Sequence, residues 1–110
     1  MLTVKPVPIG PEGTAIGITV VLPRTTLVVV TTETGYIMCG ALDVRLLDER
    51  LKAREIIAGR AIGVHSVDDL LGAPLEDVTR PARALGIQPG MLGRDAVARM
   101  LTAPPASVTS

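Results

Sequence analysis

Two aliphatic runs near the start of the chain, Ala15-Ile16-Gly17-Ile18-Thr19-Val20-Val21-Leu22 and Leu27-Val28-Val29-Val30-Thr31-Thr32, carry no charged residue at any position. Strand side chains point alternately to two faces. The first run therefore sets Ile16, Ile18, Val20 and Leu22 against Gly17, Thr19 and Val21, and the second sets Leu27, Val29 and Thr31 against Val28, Val30 and Thr32. An antiparallel strand with one wet face shows polar residues there. Neither run has a charged face, so both faces call for cover. Helices account for one side, and a second sheet or a second copy of the chain must account for the other. With only 110 residues to draw on, a partner subunit is the expected cover.

The same length fits one domain, and a domain so small buries only about two-thirds of its unfolded surface. There is no Phe or Trp and a single Tyr, while 47% of the residues are hydrophobic. Such a core is filled by small branched side chains, which pack well on a pleated sheet. Residues 2–9 read as an extended arm broken by Pro6 and Pro8. Turn signals at Gly10-Pro11-Glu12-Gly13, Pro23-Arg24 and Glu33-Thr34-Gly35 separate the two runs and a short strand at residues 36–39. Close turns between apolar runs predict an antiparallel meander of about four strands.

The second half has a different rhythm. Residues 44–52 place Leu46, Leu47 and Leu51 at helical spacing behind Asp43, a suitable N-cap. Residues 54–64, rich in β-branched side chains and glycine, read in part as a strand returning to the sheet. Ser66 with Asp69 resembles a capping box ahead of Leu70 and Leu71. Residues 75–85 suggest a helix with a break or fresh start near Thr79, because Pro81 falls inside it, and residues 94–101 a last short helix. The expectation is an α+β fold: the N-terminal meander, one further strand, and three to four short helices packed on the sheet. Residues 1–102 form the domain and 103–110 a flexible tail.

Eleven basic and eleven acidic residues cancel. With no basic surplus and no aromatic platforms, nucleic acid is not an expected partner. One cysteine allows no internal disulfide and leaves no second thiol for a zinc site, so neither metal nor cofactor is expected. The proline-broken start is no signal peptide, and the apolar stretches fall short of the ~18 residues of a membrane span. A cytoplasmic protein without membrane contact is the default.

Candidate chemistry gathers in Gly35-Tyr36-Ile37-Met38-Cys39-Gly40-Ala41-Leu42-Asp43-Val44-Arg45. A thiol reacts as its thiolate, which a helix N-terminus or a cation favours, and Cys39 stands just before a helix start with Arg45 near in sequence. His65 is the lone histidine, and imidazole is the side chain that changes charge near neutrality. Cys39 with His65, or with Asp43, would make a minimal thiol–base pair. The competing reading is a buried cysteine filling core space and a surface histidine. The same turn offers a second chemistry, binding of an anion at the helix start, with Tyr36, Gly40 and Arg45 as ligand contacts. A capping Asp43 competes for the same N–H donors.

Taken in order, Gly35–Val44, Arg54–Val64, Ser66–Thr79 and Leu85–Ala96 resemble the small YunC-like proteins of bacteria and archaea, a domain of unknown function. The resemblance spans about residues 22–100. It implies an α+β fold and an N-terminal β region that mediates tetramerisation, and it brings no reaction to any residue. Three functional readings stand at this point: a homo-oligomer with a binding or interaction role, a small thiol enzyme at Cys39, and a module binding an anionic metabolite.

Overall fold

A computed structural model describes residues 1–41, 43–50 and 52–103, with the side chains of Arg45 and Lys52 outside the description. The expected tail falls almost wholly outside these residues. Six strands form one mixed sheet in sequential order: β1 Leu2–Gly10, β2 Gly13–Leu22, β3 Thr25–Thr31, β4 Gly35–Met38, β5 Ile57–Arg60 and β6 Asp77–Val78. The first four strands pair antiparallel through tight turns, as the sequence predicts. β5 runs parallel to β4. Parallel neighbours need a crossover, supplied here by α1 (Val44–Glu49) and a 3₁₀ turn at Lys52–Arg54.

Three more helices follow: α2 Val67–Gly72, α3 Arg80–Ala84 and α4 Gly93–Thr102. The predicted caps are in place. Asp43 accepts a hydrogen bond from the Leu46 N–H at 3.0 Å, and Ser66 Oγ accepts one from the Asp69 N–H at 3.1 Å. Asp69 in turn accepts from the N–H of His65 rather than of Ser66. Residues 75–78, read from sequence as helical, instead reach the sheet. The N–H groups of Glu76 and Thr79 donate to the Arg60 and Ala58 carbonyls, which makes Asp77–Val78 the edge strand β6. The helix begins afresh at Thr79, its N-cap, and Pro81 sits in the first turn, where a missing N–H costs nothing.

The register sorts the sheet into two faces. Val7, Ala15, Gly17, Val28, Val30 and Ile37 point to the side of α2 and α4 and are buried with Leu70, Leu71, Ile87, Val97 and Met100. Two glycines make this approach close. A Cβ at Gly17 would stand 2.9 Å from Val7 and 3.0 Å from Val67 on α2, and one at Gly93 would meet the Leu70 carbonyl oxygen. On the opposite face α1 covers only the β4–β5 end, where Val44 and Leu47 bury Ala58 beside Tyr36 and Met38. The rest of that face, over β1–β3, lies open.

Among the described residues, the side chain of Thr79 is the polar one buried with the core. The buried Thr79 hydroxyl donates to the Ile56 carbonyl at 2.7 Å and accepts the Ala58 N–H at 3.1 Å and the Ala82 N–H at 3.4 Å. It stitches β5 to the start of α3, and its hydrogen-bonding capacity is filled, as burial demands.

Candidate functional site

The end of β4 is where sequence and structure meet most closely. The Cys39 N–H donates to the Val28 carbonyl, prolonging the β3–β4 ladder by one residue. Beyond it Gly40 and Ala41 are exposed, and then α1 begins. Next door, the Ala61 N–H donates to the Met38 carbonyl, which carries the β5 chain past the sheet toward Val64 and His65. The strand order therefore delivers the two loops to one end of the sheet, and the β2–β3 turn at Pro23-Arg24 closes that end from the other side.

Between these three segments lies a cleft of about 360 Å³ that Cys39, Gly40 and His65 line together with Arg24, Thr25 and Thr26. Cys39 is only 6% exposed and belongs to the main buried cluster, so it lines the cleft from the side of the core. His65 and Arg24 are exposed. A Cβ at Gly40 would find only Ile62 within reach, at 3.6 Å, so the floor beside the thiol is roomy. No carboxylate lines the cleft among the described residues.

The other sequence candidates lie elsewhere. Tyr36 is half-buried on the far face, against the α1 cluster of Val44, Leu47 and Ala58. Asp43 caps α1 and is not among the residues lining the cleft. Arg45 follows Val44 in the first turn of α1, with its side chain outside the description. Arg24, Thr25 and Thr26 were not singled out by sequence, where Pro23-Arg24 reads as a turn and nothing more. The available signal was the turn itself: Pro followed by a residue that must adopt positive φ invites glycine, yet an arginine occupies the place with φ 60°.

A larger cavity of about 520 Å³ lies between Thr14, Thr31, Thr32 and Glu33 and the end of α4. One of its hydroxyls is already committed. Thr32 Oγ1 donates to the Gly35 carbonyl at 2.8 Å and accepts the N–H groups of Thr34 and Gly35, which fixes the β3–β4 turn. Among the described residues no group of three His, Cys, Asp or Glu side chains is placed to hold a metal ion.

Residues 38–100 match the family model described as Domain of unknown function (DUF1805). The chain belongs to this family. The match starts at Met38, so it takes in the end of β4 and the chain from there through most of α4. A relative reaches further. The chain is 53% identical over 102 residues to the uncharacterized protein YunC of Bacillus subtilis (strain 168), which covers 92% of this chain and 99% of YunC and so extends well into β1–β3. Among solved structures, a protein of unknown function from Thermoplasma acidophilum superposes with a TM-score of 0.80 at 26% identity, over 91% of this chain and 93% of that one. The DUF1805 fold thus includes the N-terminal meander as well as the part its family model matches.

Proposed function

We propose that this DUF1805 chain is a cytoplasmic homo-oligomer joined through the open face of β1–β3, with a binding role at the Cys39 cleft. The observation that carries the assembly is the chemistry of that face. Cross-strand pairing places Leu2, Val4, Ile16, Ile18, Val20 and Val29 side by side, with no charged side chain among the face positions of the three strands. Leu2 is 65% and Val4 60% exposed. A contiguous aliphatic patch of this kind is rare on a monomer and marks an interaction surface.

Stacking by the face is favoured over extension at the edge. Met1 and Val21 exchange backbone hydrogen bonds, at 3.1 and 2.8 Å. Antiparallel alternation then turns the backbone groups of residues 2, 4, 6 and 8 toward the free edge of β1. Two of these are Pro6 and Pro8, which have no N–H to offer another strand. A copy stacked face to face, roughly 10 Å away, buries the patch without using that edge. Such packing is isologous and joins two chains, so the four copies implied by the family resemblance require a second contact.

Native mass spectrometry tests this directly. The wild-type chain is expected as a multimer, and Ile18→Glu or Val4→Glu as a folded monomer with unchanged circular dichroism. A wild-type monomer, or an intact multimer in both variants, overturns the proposal.

A second reading, a thiol enzyme, draws support from Cys39 and His65 lining one cleft. It requires folded protein to react with iodoacetamide faster than a free thiol at neutral pH, and His65→Ala to slow that reaction. A thiol that reacts only after unfolding removes it. No helix among the described residues is long and apolar enough to cross a membrane.

A further inference from the structure

The cleft over Cys39 carries positive charge that the thiol reading leaves unused. Arg24 forms no ion pair with any described residue, and the described lining offers it no carboxylate. The chain as a whole is neutral, so this local excess is not a reflection of global charge. The polar residues Thr25, Thr26 and His65 line the same cleft. A guanidinium presents planar N–H donors that match the paired oxygens of a carboxylate or phosphate.

The backbone adds a second point. Arg24 holds φ at 60°, the left-handed region in which a side chain bearing a Cβ is disfavoured. Glycine would satisfy the turn with less strain. Arginine at this place therefore brings its side chain to the cleft mouth at some cost to the backbone.

We propose that the cleft binds a small oxyanion, with Arg24 as its main charge partner, Thr25, Thr26 and His65 as further polar contacts, and the body of the ligand lying over Gly40 and Cys39. The inference rests on reading this cleft as the binding site, but it is independent of whether the thiol reacts. It also relocates the anion site expected from sequence, away from Tyr36 and Arg45 and onto the β2–β3 turn.

The test is a titration of the full chain, in its native assembly, followed by amide chemical shifts in two-dimensional NMR. Inorganic phosphate is added in one arm and acetate in the other, with chloride holding ionic strength constant. The expected result is saturable shifts confined to residues 24–26, 39–41 and 64–65. Saturation by phosphate alone points to a phosphorylated ligand, and by acetate to a carboxylate; either upholds the site. Arg24→Gly is expected to weaken binding about tenfold or more, the loss of one charge-assisted hydrogen bond. Because glycine suits the turn, the variant should melt no lower than wild type, so lost binding is not lost folding. His65→Gln should cost less than Arg24→Gly. Linear, unsaturable shifts in both arms, or wild-type affinity in Arg24→Gly, overturn the inference. Rapid alkylation of Cys39 alongside such a result would leave the thiol reading standing alone.

Discussion

The two faces of β1–β3 are built from nearly the same amino acids and meet opposite surroundings. On one, Val28 and Val30 are fully buried under α2 and α4. On the other, Ile18, Val20 and Val29 are only partly covered, and Leu2 and Val4 stand exposed. Composition alone therefore does not say which side of a strand is core. What separates the faces is size at the contact. The covered one carries Ala15 and Gly17, small enough for a helix to approach, whereas the open one presents Ile16, Ile18 and Val20 in an unbroken row.

Substitutions on either side sharpen this contrast. The largest effect is expected from Val28→Glu. A carboxyl at a fully buried position costs several kcal/mol even when it takes up a proton, comparable with the whole margin of a small domain, and circular dichroism should report no folded protein. Gly93→Ala comes next, because its Cβ would press on the Leu70 carbonyl and stand 3.0 Å from Ile37. A loss of about 3 kcal/mol in urea unfolding is expected.

Paired truncations then compare the faces directly. Val30→Ala should cost about 2 kcal/mol at every protein concentration, as a core cavity does. Val29→Ala should lower the melting temperature only where the chain is concentrated enough to associate, since a partner stabilises by mass action. Equal and concentration-independent losses would erase the distinction drawn here. The smallest effect belongs to Ser66→Ala, which removes the cap of α2 and should cost about 1 kcal/mol by thermal melt.

Much of the β half is legible in sequence because its signals are local. Gly10-Pro11-Glu12-Gly13 and Pro23-Arg24 sit between runs of alternating pattern, and nothing distant competes with them. Asp43 and Ser66 announce their helices for the same reason. The misread segment, residues 75–78, depends on something not local. Leu75 and Val78 keep helical spacing, but Glu76 and Thr79 find the carbonyls of β5, and backbone pairing across the sheet wins over periodicity.

The site was legible to a similar degree. Cys39, Gly40 and His65 come together because β4 and β5 are parallel neighbours, a pairing that residues 54–64 only hinted at. Tyr36 was grouped with Cys39 by closeness in sequence, yet on a strand three residues apart means opposite faces. Arg24 went unread because only the folded sheet brings the β2–β3 turn to the cleft that Cys39 lines.

The covering helices also impose an order in time. Chains are made from the N-terminus, and β1–β3 are complete by residue 31, while α2 begins at Val67 and α4 at Gly93. During synthesis the meander therefore emerges with both aliphatic faces bare. One stays bare until the helices follow, and the other is left uncovered by this chain's own helices. The prolines of β1 stand at one of the strand edges exposed in that interval, where they deny a neighbouring nascent chain the hydrogen bonds on which aggregation would start.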